Sequence, residues 1–140
     1  MLTKTGLHAV RAMVALARLP EGAFAGAGTV AQEIGAPKNY LAKLLQTLSH
    51  EGLVESRKGR GGGFRLARDS RTISLLDVVE PIEHIGRWSG CIVGRPACSD
   101  AEPCGIHHRW KAVREAYVKL LDRTTLAELV AKGELETIAL

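Results

Sequence analysis

Two short helical patterns that meet at a glycine restrict the fold of this sequence more than any other feature. The T-x-x-Q sequence at residues 29–32 is a capping-box pattern and predicts a helix that runs through Ile34. Gly35 is expected to end this helix, and Pro37 suits the first turn of the next one. The second helix then has one apolar face, formed by Leu41, Leu44, Leu45 and Leu48. Two short helices joined by so tight a turn are typical of a helix-turn-helix.

A glycine-rich hairpin is predicted directly after this helix pair. Gly52 should end the second helix, and residues 53–57 and 64–67 read as short strands joined through the GRGGG sequence at residues 59–63. A hairpin in this position forms a wing. The expected fold class is therefore mainly α with a small β-hairpin wing: a winged helix-turn-helix domain followed by a long C-terminal helix.

The remaining helices follow from apolar spacing and capping patterns. A first helix should end before Pro20, and the GAFAGAG sequence at residues 22–28 should be a flexible connection. Another helix should begin at Ser74 and end by Pro81. A long helix is predicted over about residues 104–123, and the T-x-x-E sequence at residues 125–128 should open a final helix.

Basic residues are concentrated in the first half of the chain. Residues 1–70 contain ten Lys and Arg against five Asp and Glu, and five of these basic residues lie between Arg57 and Arg68 with no acidic one among them. Such an asymmetry favours an anionic partner for this half. No Gly-Lys-Ser/Thr sequence follows the glycines, so they do not form a nucleotide-binding phosphate loop.

The start of the second helix carries residues suited to reading DNA. Asn can bond adenine through two hydrogen bonds, and Lys can reach guanine or phosphate, so Lys38, Asn39 and Lys43 are candidates. In the wing, Arg60 and the exposed amides could neutralise phosphate. The alternative interpretations are a solvated helix surface and a solvated hairpin with accidental charge.

All three cysteines lie in one Gly- and Pro-rich segment, with the spacing C-x6-C-x5-C and a histidine three residues later. No signal peptide or membrane span is visible, so a cytoplasmic location is expected. In a reducing compartment three thiols favour metal binding or redox chemistry over a structural disulfide. The spacing alone leaves an iron–sulfur cluster and a structural zinc equally favoured. Free thiols and a reversible Cys91–Cys98 disulfide also stay open.

The whole chain resembles a known group. The sequences LTKTGLHAVRAMVALA and LAKLLQTLSHEGLVESRKGRGGGFRLARD, the three-cysteine segment and the final TLAELV together resemble IscR-type winged-helix regulators, the bacterial group that includes NsrR and RirA. The resemblance implies a homodimer that binds pseudo-palindromic promoter DNA. By position it places the DNA contacts on Lys38, Asn39, Tyr40 and Lys43 in the recognition helix and on Arg57, Lys58, Arg60 and Gly61 in the wing.

The same resemblance implies an iron–sulfur cluster, with 2Fe–2S favoured over 4Fe–4S. Its ligands would be Cys91, Cys98, Cys104 and His107, where His108 is a local competitor for the fourth position. NsrR-like members take an aspartate near the partner's N-terminus instead, and the matching position here is Leu7, which cannot coordinate iron; His8 beside it ranks below His107. The predicted function is a transcriptional regulator whose operator binding the cluster switches in response to redox, nitric oxide or iron–sulfur status.

The predicted division of the chain has three parts. Residues 1–80 form the DNA-binding domain, residues 81–107 the cluster loop, and residues 104–140 the dimerisation helix and the C-terminal helix. The long helix carries an apolar stripe that a single chain of this size could hardly bury, which also favours a dimer. A small iron–sulfur electron carrier is the competing hypothesis, but it would have no use for a basic wing. No grouping of residues suggests a hydrolytic enzyme.

Overall fold

The computed structural model describes residues 1–87 and 90–133. Within these ranges the chain forms six α-helices and one two-stranded antiparallel sheet, with short 3-10 turns at Ser70–Thr72 and Ile85–Arg87. In chain order the elements are α1 (Lys4–Ala17), α2 (Ala27–Ile34), α3 (Lys38–His50), β1 (Val54–Arg57), β2 (Gly63–Leu66), α4 (Leu75–Glu83), α5 (His107–Arg123) and α6 (Leu126–Lys132). The mainly helical fold with a hairpin wing is confirmed.

Helices α2 and α3 form the predicted pair, but α2 begins earlier than its capping pattern indicated. The helix starts at Ala27 with Gly26 as its N-cap, and the Val30 amide donates to the Gly26 carbonyl at 3.1 Å. The capping box predicted at Thr29 is therefore wrong, because Thr29 already lies inside the first turn. Gly35 ends α2 in the left-handed conformation (φ 70°), which glycine adopts without steric cost.

Helix α3 turns its leucine face inward as predicted. Leu41, Leu44, Leu45 and Leu48 are all buried, and Pro37 is the N-cap, one residue outside the helix. Gly52 follows the helix end with φ 74°, which completes the predicted stop.

The wing pairs β1 with β2 in antiparallel register, with Val54 opposite Leu66 and Arg57 opposite Gly63. The connection at residues 22–28, which leads into α2, is not the flexible segment that was predicted. Ala25 exchanges both backbone hydrogen bonds with Phe64, at 2.8 and 2.9 Å, and adds a third strand position to the hairpin. Gly63 has φ 130°, and a Cβ atom there would collide with the backbone of Ala25. These contacts fix the wing against the start of α2.

Helix α4 begins as predicted but ends later. Ser74 and Asp77 form a reciprocal capping box, yet the helix continues through Pro81 to Glu83, so the predicted end by Pro81 is wrong. A proline removes only one helical hydrogen bond here, and packing of Val78 and Val79 in the core outweighs that loss. The helix ends instead at His84, a non-glycine residue with φ 51°.

Helix α5 begins at His107, three residues after the predicted start. The Cys104 carbonyl accepts the His107 amide at 2.9 Å in a tight turn, so Cys104 itself stays in the loop. The predicted capping box of α6 is present, formed by Thr125 and Glu128. Residues 134–140 of the predicted C-terminal part lie outside the described residues.

One hydrophobic core joins the N-terminal helices to the C-terminal ones. Leu121 of α5 and Leu126 of α6 are 3% and 0% exposed and belong to the same cluster as the leucines of α3. Two backbone hydrogen bonds reinforce this junction, from Leu75 to Thr124 and from Leu126 to Ile73. No helix in residues 1–87 and 90–133 is both long and apolar enough to cross a membrane.

Candidate nucleic-acid interface and cysteine loop

The N-terminal end of α3 presents polar side chains to solvent. Lys38, Asn39 and Lys43 are exposed, on the side of the helix opposite to the buried leucine face. In a helix-turn-helix this end of the second helix enters the major groove, where a side chain must be free to reach a base edge. These three residues meet that requirement.

Tyr40 differs from its neighbours because it faces α1. Its ring is half-buried against the core, and its hydroxyl oxygen lies 3.2 Å from Nδ1 of His8. Burial, with added repulsion from Lys4 and Arg11, lowers the pKa of His8 below its ordinary value. No sequence pattern pointed to this contact, because the two residues are 32 positions apart. His8 itself is buried in the core, at 4% exposure.

The tip of the wing is basic and exposed. Lys58, Arg60 and Gly61 all lie on this turn, and Gly61 has φ 69°, a conformation that favours glycine. The Gly62 amide closes the turn by donating to the Gly59 carbonyl at 3.1 Å. The resulting tip combines small residues with positive charge, so the phosphate backbone of DNA can approach it closely.

Phe24 organises the base of the wing, and sequence reasoning missed it. The Arg65 guanidinium carbon lies 4.5 Å and that of Arg57 5.6 Å from the centre of the Phe24 ring. Arg65 also pairs with Glu55 at 2.9 Å, whereas Arg57 is exposed. An aromatic face attracts a guanidinium and restricts its rotamers. The single aromatic residue among small residues at 22–28 was the available signal.

The cysteine loop leaves all three thiols free and half-buried. Cys98 Sγ lies 3.1 Å from Nδ1 of His107, whose side chain is 2% exposed. The backbone amide of Val93 chiefly, then that of Arg95 and the thiol of Cys104, lower the pKa of Cys91 by hydrogen bonding to its sulfur. Of the four predicted ligands, Cys98 and His107 are in direct contact.

A carboxylate lies behind the histidine. Nε2 of His107 is 2.7 Å from Oδ1 of Asp100, and the Lys111 ammonium lies 2.8 Å from Oδ2 of the same residue. Hydrogen bonding from Lys111 first and from His107 second lowers the pKa of Asp100 to about 2. His108 is exposed, and its ring meets the edge of the His107 ring at 5.1 Å between centres. Of the histidines considered as ligands, only His107 faces a cysteine in the described ranges.

The predicted ligands do not converge on one point in the described part of the chain. Among the described residues, no three His, Cys, Asp or Glu side chains stand close enough together to hold a single metal ion. Cys98 and Asp100 contact opposite nitrogens of the His107 ring, which keeps them apart. The donor chemistry nevertheless fits an iron–sulfur cluster, because cysteine thiolates are its usual ligands and histidine can replace some of them.

Comparison with known proteins decides the family. Residues 2–132 match the family model Rrf2, described as an iron-dependent transcriptional regulator. The chain belongs to the Rrf2 family. The match spans the helix pair, the wing, the cysteine loop and α5, so it covers both the candidate interface and the candidate ligands of this Rrf2 protein.

Individual Rrf2 relatives agree with this assignment. The HTH-type transcriptional regulator IscR of Klebsiella pneumoniae is 30% identical over 134 residues, which cover 96% of this chain and 82% of the relative. The structure of CymR, the global cysteine regulator of B. subtilis, aligns with TM-score 0.80 and 26% identity over 94% of this chain and 97% of CymR. The structure of T. potens IscR aligns with TM-score 0.77 and 25% identity over 100% of this chain and 93% of that one.

Membership of Rrf2 confirms two expectations from the sequence. The resemblance to IscR-type regulators is correct, and the protein is a transcriptional regulator rather than an enzyme. The competing hypothesis of an electron carrier is thereby set aside. The individual DNA contacts and cluster ligands in this Rrf2 protein stay predictions.

Proposed function

We propose that this Rrf2 protein is a cytoplasmic homodimer that binds pseudo-palindromic promoter DNA and releases or engages it according to the state of an iron–sulfur cluster. The cluster would be held by Cys91, Cys98, Cys104 and His107, with 2Fe–2S favoured. The observation that carries the proposal is the 3.1 Å approach of Cys98 to His107 within a loop that contains every cysteine of the chain.

The DNA-binding part rests on exposure and charge. Lys38, Asn39 and Lys43 are free at the N-terminal end of α3, and Lys58 and Arg60 are free at the wing tip. The helix would enter the major groove while the wing lies along the neighbouring phosphates. Tyr40 and Arg57 would contribute mainly by position, since His8 and Phe24 already hold them.

The dimer is supported by the outer face of α5. Val113 and Leu120 are each 60% exposed, whereas Leu121 of the same helix is buried in the core of its own chain. These large apolar side chains lie on the exposed face of α5, which favours a second copy of the same helix as their partner. A two-fold axis through α5 would then set the spacing between two operator half-sites.

The cluster is proposed on chemistry and placement. Three thiolates and one imidazole would supply the four ligands of a 2Fe–2S cluster, and an imidazole in place of one thiolate adds a neutral ligand. When bound, such a cluster supplies a centre that oxygen, nitric oxide or iron starvation can remove. Of these four residues, His107 begins α5 and Cys104 lies three residues before it, so the loop's state is linked directly to the proposed dimer helix.

The switch follows from the composition of the loop. Residues 90–106 are rich in Gly, Pro and exposed polar residues and contain no helix or strand. Such a segment buries too little apolar surface to order itself strongly, so crosslinking by a cluster would restrict it. The change in operator affinity on cluster loss equals the difference in DNA affinity between the loop with the cluster and the loop without it.

The test is an anaerobic purification followed by iron, sulfide and zinc analysis, an absorption spectrum, and operator binding by cluster-loaded, cluster-free and Cys98→Ala protein. The expected result is near-equal iron and sulfide of about two per chain, little zinc, and an affinity that changes on cluster loss. Glu102→Gln is the control, because Glu102 is exposed in the same loop and offers no predicted ligand. Zinc without sulfide, or equal affinity in every state, would reject the cluster switch.

A second candidate function is a cluster-free thiol switch. It is favoured by the three free, half-buried thiols that lie in one loop. In that case a reversible disulfide between two of these cysteines would replace the cluster as the regulated state. Protein without iron whose operator affinity responds to peroxide and is restored by a dithiol reductant would favour this candidate.

A further inference from the structure

The His107 side chain uses both ring nitrogens, and the two contacts differ in chemistry. Nε2 meets a carboxylate oxygen of Asp100 at 2.7 Å, and Nδ1 meets the sulfur of Cys98 at 3.1 Å. An ionised carboxylate can only accept a hydrogen bond, so Nε2 carries the hydrogen. In a neutral imidazole the lone pair is then on Nδ1, the atom that faces Cys98.

Asp100 is held in this position by a second residue of the same helix. Lys111 follows His107 by four positions, so both lie on one face of α5. Its ammonium lies 2.8 and 3.1 Å from the two oxygens of Asp100. The carboxylate from the loop is therefore held between two side chains of α5, with its orientation fixed toward Nε2.

We propose that Asp100 is a positioning residue that sets the tautomer and the orientation of His107, so that Nδ1 is presented together with Cys98 as one ligand pair. The proposal rests on the function proposed above. It adds a residue outside the ligand set that orients one of the ligands. Carboxylates that bond the far nitrogen of a metal-binding histidine fix its ring and make it a better donor. No pattern in the sequence singled out Asp100, which stands between two cysteines in a polar loop.

The exposure of Asp100 makes this role separable from folding. Its side chain is 66% exposed, so removing it takes little from the core. Asp100→Asn keeps an oxygen that can accept from Nε2 but loses the charge that pairs with Lys111. Asp100→Ala loses both. Glu102→Gln in the same loop is the matched control, because the Glu102 side chain is exposed and has no proposed role at His107.

The first measurement uses metal-free protein, so its result does not depend on whether the loop holds a cluster in the cell. Nitrogen-15 NMR of the histidine rings at pH 8 reports which nitrogen carries the hydrogen. Wild type, Asp100→Asn and Glu102→Gln should show His107 with hydrogen on Nε2. Asp100→Ala should shift His107 toward the form with hydrogen on Nδ1. A purely structural role for Asp100 would not move this signal.

The second measurement follows cobalt(II) as a probe of the site, through its thiolate absorption bands. Affinity should fall about 10- to 100-fold in Asp100→Ala, less in Asp100→Asn, and remain unchanged in Glu102→Gln. The proposal is overturned if the proportion of His107 with hydrogen on Nε2 is the same in Asp100→Ala as in wild type, or if the cobalt affinity of Asp100→Ala equals that of wild type. If the purified wild type holds no iron or sulfide, the proposed cluster fails, while the tautomer result still decides the role of Asp100.

Discussion

The imidazole of His8 and the hydroxyl of Tyr40 link α1 to the start of the recognition helix. Nδ1 and the hydroxyl oxygen are 3.2 Å apart, and the two rings meet edge to face with centres at 5.5 Å. Nε2 of His8 is buried and has no hydrogen-bond partner in residues 1–87 and 90–133. Protonating this ring would place a charge in the core beside Lys4 and Arg11.

Stability should therefore depend on pH through His8. Its pKa in the folded state is lowered from 6.5, so the unfolded chain takes up the proton first as pH falls. The stabilisation is fully present above pH 6.5 and decreases as pH falls from there toward the lowered folded-state pKa. We expect His8→Asn to reduce the drop in Tm between pH 7.5 and pH 5.5, as measured by circular dichroism.

His50→Asn provides the control for this prediction. His50 is exposed at the end of α3, so its replacement removes one histidine without changing the core. The drop in Tm should match wild type in this variant. An equal reduction in both variants would mean that the pH dependence does not come from the burial of His8.

The recognition helix and the wing should affect DNA binding in different ways. Arg60→Ala should weaken binding to all sequences and reduce the slope of log K against log salt by about 1, because a phosphate contact releases counterions. Asn39→Ala should instead relax preference at one base pair by roughly 1–3 kcal/mol. Fluorescence anisotropy with operator and scrambled duplexes at several salt concentrations separates the two effects.

Arg109→Ala is the matched control for the wing variant. Arg109 is an exposed arginine on α5, outside the helix pair and the wing. Its removal changes net charge by the same amount as Arg60→Ala and should leave the salt slope close to that of wild type. If all three variants bind alike, the assignment of Asn39 and Arg60 to the DNA interface is wrong.

Local patterns predicted helices well where neighbours along the chain decide the structure. The capping boxes at Ser74 and Thr125 formed because each involves residues three positions apart. The equivalent pattern at Thr29 failed because Ala25 pairs with Phe64, a contact across 39 positions that fixes where α2 begins. Nothing in residues 22–28 alone specifies that partner.

The candidate site likewise contains residues that the sequence predicted and residues that it did not. The cysteine spacing and His107 were visible in the sequence, as were the exposed residues of α3 and the wing tip. Asp100, Phe24 and the His8–Tyr40 contact were not, because their roles depend on which side chains the fold brings near them. Residues that hold a functional group in place have no spacing rule of their own.

The dimer interface is tested by charge on the exposed face of α5. Val113→Asp should give a species near the monomer mass of 15.1 kDa, where wild type should show about twice that value. Val93→Asp is the control, since Val93 in the loop is also 60% exposed. Light scattering coupled to size exclusion measures the mass, and circular dichroism verifies folding. A folded Val113→Asp protein that stays dimeric would place the interface elsewhere.

Gly6 and Gly28 should respond in opposite ways to replacement by alanine. The Glu83 carboxylate accepts hydrogen bonds from the Thr3 amide at 2.7 Å and the Thr3 hydroxyl at 2.9 Å, which fastens the start of α1 to the end of α4. A Cβ atom on Gly6 would overlap this carboxylate, whereas one on Gly28 would meet only the flexible side chain of Lys38 at 3.4 Å.

Gly6→Ala should therefore lower the free energy of unfolding by about 1 kcal/mol, because displacing Glu83 loses charge-assisted hydrogen bonds that outweigh the better helix propensity of alanine. Gly28→Ala should raise it by up to about 1 kcal/mol, since it restricts the unfolded chain without strain. Urea denaturation at pH 7 measures both. In a Glu83→Ala background the cost of Gly6→Ala should disappear, because the overlapping carboxylate is gone. A Gly6→Ala protein that is more stable than wild type would show that Glu83 does not hold α1 in place.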